Sequence, residues 1–273
     1  MRFEPRTGTF GPYEVLYVPE PQPEIAWGPP LDGTSIYVDP EIKGSMGRVY
    51  RYVTPDLEAA ALVDHHRMRF DHPTAWTDKY ETYIADNLFG EVTPGDPPLA
   101  GGAPFEGMAI YAKCVTYHYA SEALWRLNLG KVRLAFDFGE LVKLLKTAKR
   151  EDGLPMPKIY IGRARYMEGP KIRQELLRLR TEPQEKVSRL AVPALLMKRV
   201  GFHFENEIRI CIVCPPGEPV TKFLELKLAG NGLKELMINP YTDRPTALAL
   251  ADRFYMRGFK VHQSKFNLDP RAL

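Results

Sequence analysis

The chain has only three cysteines in 273 residues, Cys114, Cys211 and Cys214. So small and odd a number excludes a disulfide scaffold and fits a reducing compartment. No stretch approaches the roughly 18 consecutive apolar residues of a membrane-spanning helix. Charge of one sign is also missing: 37 basic against 34 acidic residues leave a net charge of +3. That balance implies no general attraction to nucleic acid or to a membrane surface. Met1 to Pro5 lack the apolar run of a secretion signal, so the chain is expected in the cytoplasm. There is no G-x-x-x-x-G-K-[ST] and no G-x-G-x-x-G to cradle a phosphate. No G-x-S-x-G is present to expose a serine nucleophile. His65, His66, His72, His118 and His203 are too scattered for an H-x-x-x-H metal pair.

What is present is an ordinary globular composition with a proline- and glycine-rich start. Pro19, Pro21, Pro23, Pro29 and Pro30 deny residues 1–45 a regular helix or a central strand. That segment is expected to be an extended arm, with Leu16-Tyr17-Val18 and Ser35 to Val38 as short strands, ahead of a single domain over residues 46–273. Within the domain, β-branched and aromatic runs predict strands at 47–53, 68–70, 108–119, 131–137, 159–167, 205–214, 223–228, 233–239 and 259–262. Helices are expected at 54–64, 75–87, 121–127, 138–149, 170–180, 190–198 and 246–258. The elements interleave without the regular spacing of a doubly wound fold. The expected class is therefore α+β, with mixed or antiparallel sheets and peripheral helices. The C-x-x-C of Cys211 and Cys214 lies in an apolar strand running into Pro215-Pro216-Gly217, where free cysteine packs as a small hydrophobe.

The candidate chemistry lies in Phe202-His203-Phe204-Glu205-Asn206-Glu207-Ile208-Arg209. Read as a strand, alternate residues share a face, so Glu205, Glu207 and Arg209 line one side. Two carboxylates so placed repel unless a cation, a metal ion or a substrate hydroxyl lies between them. Arg209 and Lys198 are the neighbours able to neutralise them as an ion-pair ladder. A pair not neutralised in this way suits polarising a hydroxyl or placing a nucleophile.

Other segments extend the pattern: Tyr50-Arg51-Tyr52, then Trp76-Thr77-Asp78-Lys79-Tyr80-Glu81. Cys114-Val115-Thr116-Tyr117 leads through Ser121 and Trp125 to Gly130 and Asp137. Lys198 precedes the Phe202, Glu205, Glu207, Arg209 set, and Leu233 to Pro240 precedes the last helix. In this order the chain resembles, over residues 48–262, the bacterial family called domain of unknown function 2971. Lys79 stands where that family has proline, and Phe202 where it has tryptophan. More remotely, the pattern resembles the arginine–serine–glutamate arrangement of ADP-ribosyltransferases and implies a fold of that kind. That resemblance implies that Arg51 grips the pyrophosphate of NAD with paired charged hydrogen bonds. Ser121 or Thr116 takes the serine position, and Tyr50, with other aromatics, lies against the nicotinamide. Glu207 stabilises the charge that develops on the ribose, and Glu205 orients or deprotonates an acceptor. NAD is thus the expected substrate, an unidentified protein or nucleic acid the acceptor, and no metal is expected. The implied role is that of a toxin or phage-defence effector.

Two other readings use different residues. Asp78, Glu81, Glu205 and Glu207 would suit a magnesium- or manganese-dependent phosphodiesterase. Arg163, Arg165, Lys171, Arg173, Arg178 and Arg180 would suit a non-catalytic module binding nucleic acid or an acidic partner.

Overall fold

In a computed structural model the described residues are 27, 29–31, 33–43, 47–53, 58–76, 79–90, 103–119, 121–127, 132–182 and 184–263. The chain is α+β. Its strands are β1 (Ile36–Val38), β2 (Arg48–Val53), β3 (Arg67–Asp71), β4 (Ile110–Thr116), β5 (Val132–Asp137), β6 (Lys149–Arg150) and β7 (Lys158–Arg163). They continue with β8 (Arg165–Met167), β9 (Met197–Arg199), β10 (Glu207–Val213), β11 (Phe223–Lys227), β12 (Leu233–Ile238) and β13 (Val261–Gln263). The helices are α1 (Pro40–Lys43), α2 (Ala60–His65), α3 (Lys79–Phe89), α4 (Glu122–Leu127), α5 (Phe138–Lys146), α6 (Gly169–Thr181), α7 (Gln184–Leu195) and α8 (Arg244–Tyr255).

Eleven strands form one sheet, whose main path runs β1-β7-β10-β4-β2-β5-β12-β13. The outermost pairs, β1 with β7 and β12 with β13, are parallel, and the inner pairs are antiparallel. β1 falls within the segment expected as an arm; it edges the sheet, and Ile42 just beyond it is fully buried. Leu16-Tyr17-Val18 lies outside the described residues.

Alternation along the strands divides the apolar residues between two faces. Val49, Val53, Val115, Leu134, Phe136, Ile208 and Ile210 share one core with α2, α5 and α8. On the other face, Ala112 and Cys211 pack under α3, α6 and α7, while Tyr50, Tyr52 and Ala135 pack against Trp125 of α4. Cys214 belongs to the first core and Cys211 to the second, so the C-x-x-C supplies two buried packing thiols on opposite faces.

Two stretches expected to be regular are broken. Residues 159–167 divide at Ala164, whose N–H donates to the Glu207 carbonyl, while the next N–H, of Arg165, donates to Leu196. The backbone has changed partners there, and β8 pairs with β9 in a separate two-stranded parallel sheet. Residues 190–198 likewise leave α7 to form β9, which carries Lys198.

The main sheet forks at β4. Ala112 pairs with Asp71 of β3, whereas Thr116 pairs with Tyr50 of β2. Backbone groups between these two points lack a full complement of strand partners, and a buried carbonyl without a donor costs free energy. Arg51 supplies one, donating from Nη1 to the Cys114 carbonyl at 2.8 Å. Its Nε and Nη2 grip Glu58 at 2.9 and 3.0 Å, and Lys113 pairs with the same carboxylate while donating to the Arg69 carbonyl. Burial opposes ionisation of Glu58, but Arg51 and Lys113 hold its carboxyl down to about 2. A depressed acid stabilises the fold above its ordinary value near 4.5, and the contribution is lost as pH falls through the folded value. Arg51→Ala should therefore cost about 2–3 kcal/mol at neutral pH. The expected result is a lower urea midpoint with an unchanged slope.

Candidate functional site

The site is built where β10 enters the sheet. The expected strand does not begin at Glu205: Val200–Glu205 is a turn of 3-10 helix, and Asn206 has φ of 43°. Asparagine tolerates this left-handed conformation better than most side chains, and here it reverses the path just before β10 starts at Glu207. Strand alternation therefore holds for Glu207 and Arg209 but not for Glu205. The turn brings Glu205 to the same place by another route. Its backbone is fixed by Thr116, whose hydroxyl donates to the Glu205 carbonyl at 2.5 Å and accepts from the His118 N–H at 3.0 Å.

Five charged side chains from three regions meet here. Lys198 on β9 donates to Glu205 at 2.7 Å and to Glu207, and its ammonium lies 3.2 Å from Glu81 of α3. Arg209 donates through Nε to Glu207 at 2.5 Å, through Nη2 to Glu81, and through Nη1 to the Leu195 carbonyl at the end of α7 at 2.5 Å. The Glu207 N–H donates to the Tyr166 hydroxyl at 2.9 Å. Lys198, Glu207 and Arg209 are buried, with side chains 6%, 4% and 1% exposed. Glu81 and Glu205 form the outer edge at 17% and 20%. Two half-buried rings flank the cluster: Trp76 lies 4.9 Å from the Arg209 guanidinium and Phe202 lies 5.5 Å from the Lys198 ammonium. Gly162, opposite Arg209 on β7, lets Leu196 pack directly onto the strand, since a Cβ there would meet that side chain at 2.6 Å.

Three carboxylates share two cations, and the excess falls on the outermost acid. Burial opposes ionisation of Glu207, but Arg209 and Lys198 keep its carboxyl well below the usual range. Burial would likewise discharge Lys198, yet Glu207, Glu81 and Glu205 hold it protonated. At Glu205 burial prevails: together with Glu207 and Glu81 it outweighs the Lys198 contact and pushes the carboxyl up to about 7. Burial and the Glu207 charge push the Cys114 thiol well up, so Cys114 acts as a neutral neighbour of Glu207.

The expected site residues do not all meet. By register Glu207, Thr116 and Tyr50 lie in one row on the same face. Tyr50 already stacks on buried Arg133 at 4.5 Å. Arg51 points to the opposite face with Lys113 and is engaged by Glu58, so it does not join Glu205 and Glu207. Ser121 caps α4, accepting from the Leu124 N–H at 3.3 Å. Of the acids in the metal-dependent reading, Asp78 lies outside the described residues, and the other three converge on Lys198. In the basic segment, Arg178 pairs with Glu175 and Glu182, and Arg180 donates to Asn87, so those two charges are engaged within the fold. Tyr166 escaped sequence reasoning, and no local pattern marks it. The chain matches no family model, no curated protein and no solved structure.

An acid whose folded value is raised stabilises the fold fully below its unfolded value, here near 4.5, and loses that contribution as pH rises through about 7. The loss is up to about 3 kcal/mol. Glu205→Gln should remove this slope, leaving a variant more heat-stable than wild type at pH about 8. Melting temperatures of both proteins across this range provide the check.

Proposed function

We propose that the chain is an enzyme that cleaves the nicotinamide–ribose bond of NAD and passes the ADP-ribosyl group to an acceptor, with Glu205 as the general base. The observation that carries this reading is Glu205 itself, which sits at the partly exposed edge of the ion cluster, is held by Lys198 at 2.7 Å and has its carboxyl pushed up to about 7. A group that titrates near neutral pH combines a useful fraction in the basic form with a strong pull on a proton. NAD as the substrate rests on the motif order and on the chemistry of the acids.

In the proposed step the C–N electrons leave with nicotinamide, and positive charge develops on the ribose. Glu81 and Glu205, the less buried acids of the cluster, are the carboxylates placed to face that charge, while Glu207, neutralised by Lys198 and Arg209, holds the cations behind them. The acceptor hydroxyl, or water in simple hydrolysis, forms the new C–O bond and gives its proton to Glu205. Trp76 and Phe202 supply flat apolar walls on either side of the cluster. Arg51 has no part in this arrangement, since it braces the fork on the other face.

Nicotinamide release from NAD, measured across pH, tests the reading. Wild-type activity should rise through pH about 7, and Glu205→Gln should lower it by roughly 100-fold or more. Arg51→Ala should leave KM for NAD unchanged wherever the variant remains folded. A chelator should leave the rate unaltered; loss of activity on chelation would favour the metal-dependent phosphodiesterase instead. No nicotinamide release, together with no rise in melting temperature at millimolar NAD, would overturn the proposal.

A further inference from the structure

α8 is apolar on two sides. One side packs into the sheet through Ala247, Leu250 and Phe254, all buried. The side turned away presents Pro245, Leu248, Ala249, Tyr255 and the adjoining Met256. Leu248, Tyr255 and Met256 are 56%, 73% and 82% exposed, the three most exposed large apolar side chains among the described residues. A surface helix ordinarily turns polar residues outward, and one that is apolar all round is covered on both sides. Apolar surface gathered on one element, rather than scattered singly, marks an interaction face.

Two opposite charges interrupt this face. Asp252 lies at the middle of its outward side and Arg244 at its start, both exposed. The neighbours of Asp252 one turn away, Leu248, Ala249, Tyr255 and Met256, are uncharged, so no cation of α8 lies in reach of it. Arg244 likewise has only Ala247 and Leu248 one turn on. Neither charge makes an ion pair among the described residues, and the nearby Arg253 and Arg257 both engage Asp64. Arg244 and Asp252 each stand four residues from Leu248, one on either side.

We propose that this face of α8 docks on the same face of a second copy of the chain, with the two helices antiparallel about a two-fold axis passing between their Leu248 side chains. In such a contact residue i of one copy meets residue j of the other, and j meets i. The axis at Leu248 sets Arg244 of each copy level with Asp252 of the other, so the two unpaired charges find partners twice over. Pro245 comes level with Ala251 of the second copy, and Tyr255 and Met256 reach past the start of its helix to widen the apolar contact. A parallel pairing would set Asp252 against Asp252 and Arg244 against Arg244, which like charge opposes. The face thus carries its own complement in one orientation. α8 covers the sheet face away from the ion cluster, and the assignment is independent of any chemistry at Glu205.

Sedimentation velocity of the full chain tests the assignment. One helix face is smaller than the roughly 800 Å² per partner of a standard interface, so a monomer–dimer equilibrium is expected between about 1 and 100 μM. Asp252→Arg and Arg244→Asp should each weaken the dimer by roughly tenfold or more, and the two together should restore it. Leu248→Glu should abolish it. All three positions are exposed, so melting temperatures measured at the dilute end should stay at the wild-type value. A wild-type chain that remains monomeric throughout would overturn the proposal and give the face to a different protein. A dimer unaffected by Leu248→Glu would place the interface elsewhere. A double charge swap no tighter than the single variants would overturn the antiparallel pairing.

Discussion

Burying Glu207 as a carboxylate imposes the condition around which the site is arranged. An ionised acid taken out of water costs several kcal/mol unless it is both paired and hydrogen-bonded. Glu207 meets that condition through Lys198 and Arg209. Those cations are themselves buried, and each needs further negative charge, which Glu81 and Glu205 provide. The chain of compensation stops only where a side chain reaches solvent. Glu205 stands at that point, still largely buried, and there burial together with the Glu207 and Glu81 charges outweighs its one cation, Lys198, so it is the member with a carboxyl pushed up to about 7. The property that makes Glu205 suitable for proton transfer thus follows from keeping a different residue ionised.

The sheet supplies the geometry for this. It is covered on both faces, and it separates two charged clusters that lie close together in the strand order. Lys113 and Cys114 are adjacent on β4, yet Lys113 joins Arg51 and Glu58 on one face and Cys114 joins Glu207 and Arg209 on the other. Arg51 does touch the strand that carries Cys114, but only through the backbone carbonyl at the fork. A one-residue difference in register is enough to divide the bracing role from the acid–base cluster. β9 completes the site from outside the main sheet, because the chain leaves α7 at Leu195 and returns Lys198 against β10.

Much of this was legible in the residues. Runs of β-branched and aromatic residues located β2, β5, β10, β11 and β12, and the apolar residues Leu141, Val142, Leu144 and Leu145 located α5. The suspicion that Lys198 and Arg209 neutralise the acids came from charge and proximity in sequence, and both cations pair as that reasoning required. Glu205 was misread as a strand residue because alternation cannot register a left-handed residue, and Asn206 carries no signal distinguishing a turn from a polar strand position. The division of residues 159–167 was hidden for a similar reason: β7 and β8 are both β-rich, and only the partners of Ala164 and Arg165 separate them.

By itself the sequence determined what depends on neighbours along the chain: the α+β character, most elements, the choice of residues able to carry chemistry, and the lack of any apolar run long enough to span a membrane as a helix. Tertiary structure alone decided which of those residues meet. Arg51 and Glu207 are separated by more than a hundred and fifty residues, and their relative placement depends on strand order and pleat parity, neither of which is written in a local pattern. Glu81 and Arg209 are also remote in sequence, yet α3 folds back over β10 and pairs them. The physical reason is the same in both cases: charge acts over a few ångströms, and those distances are set by packing across the sheet.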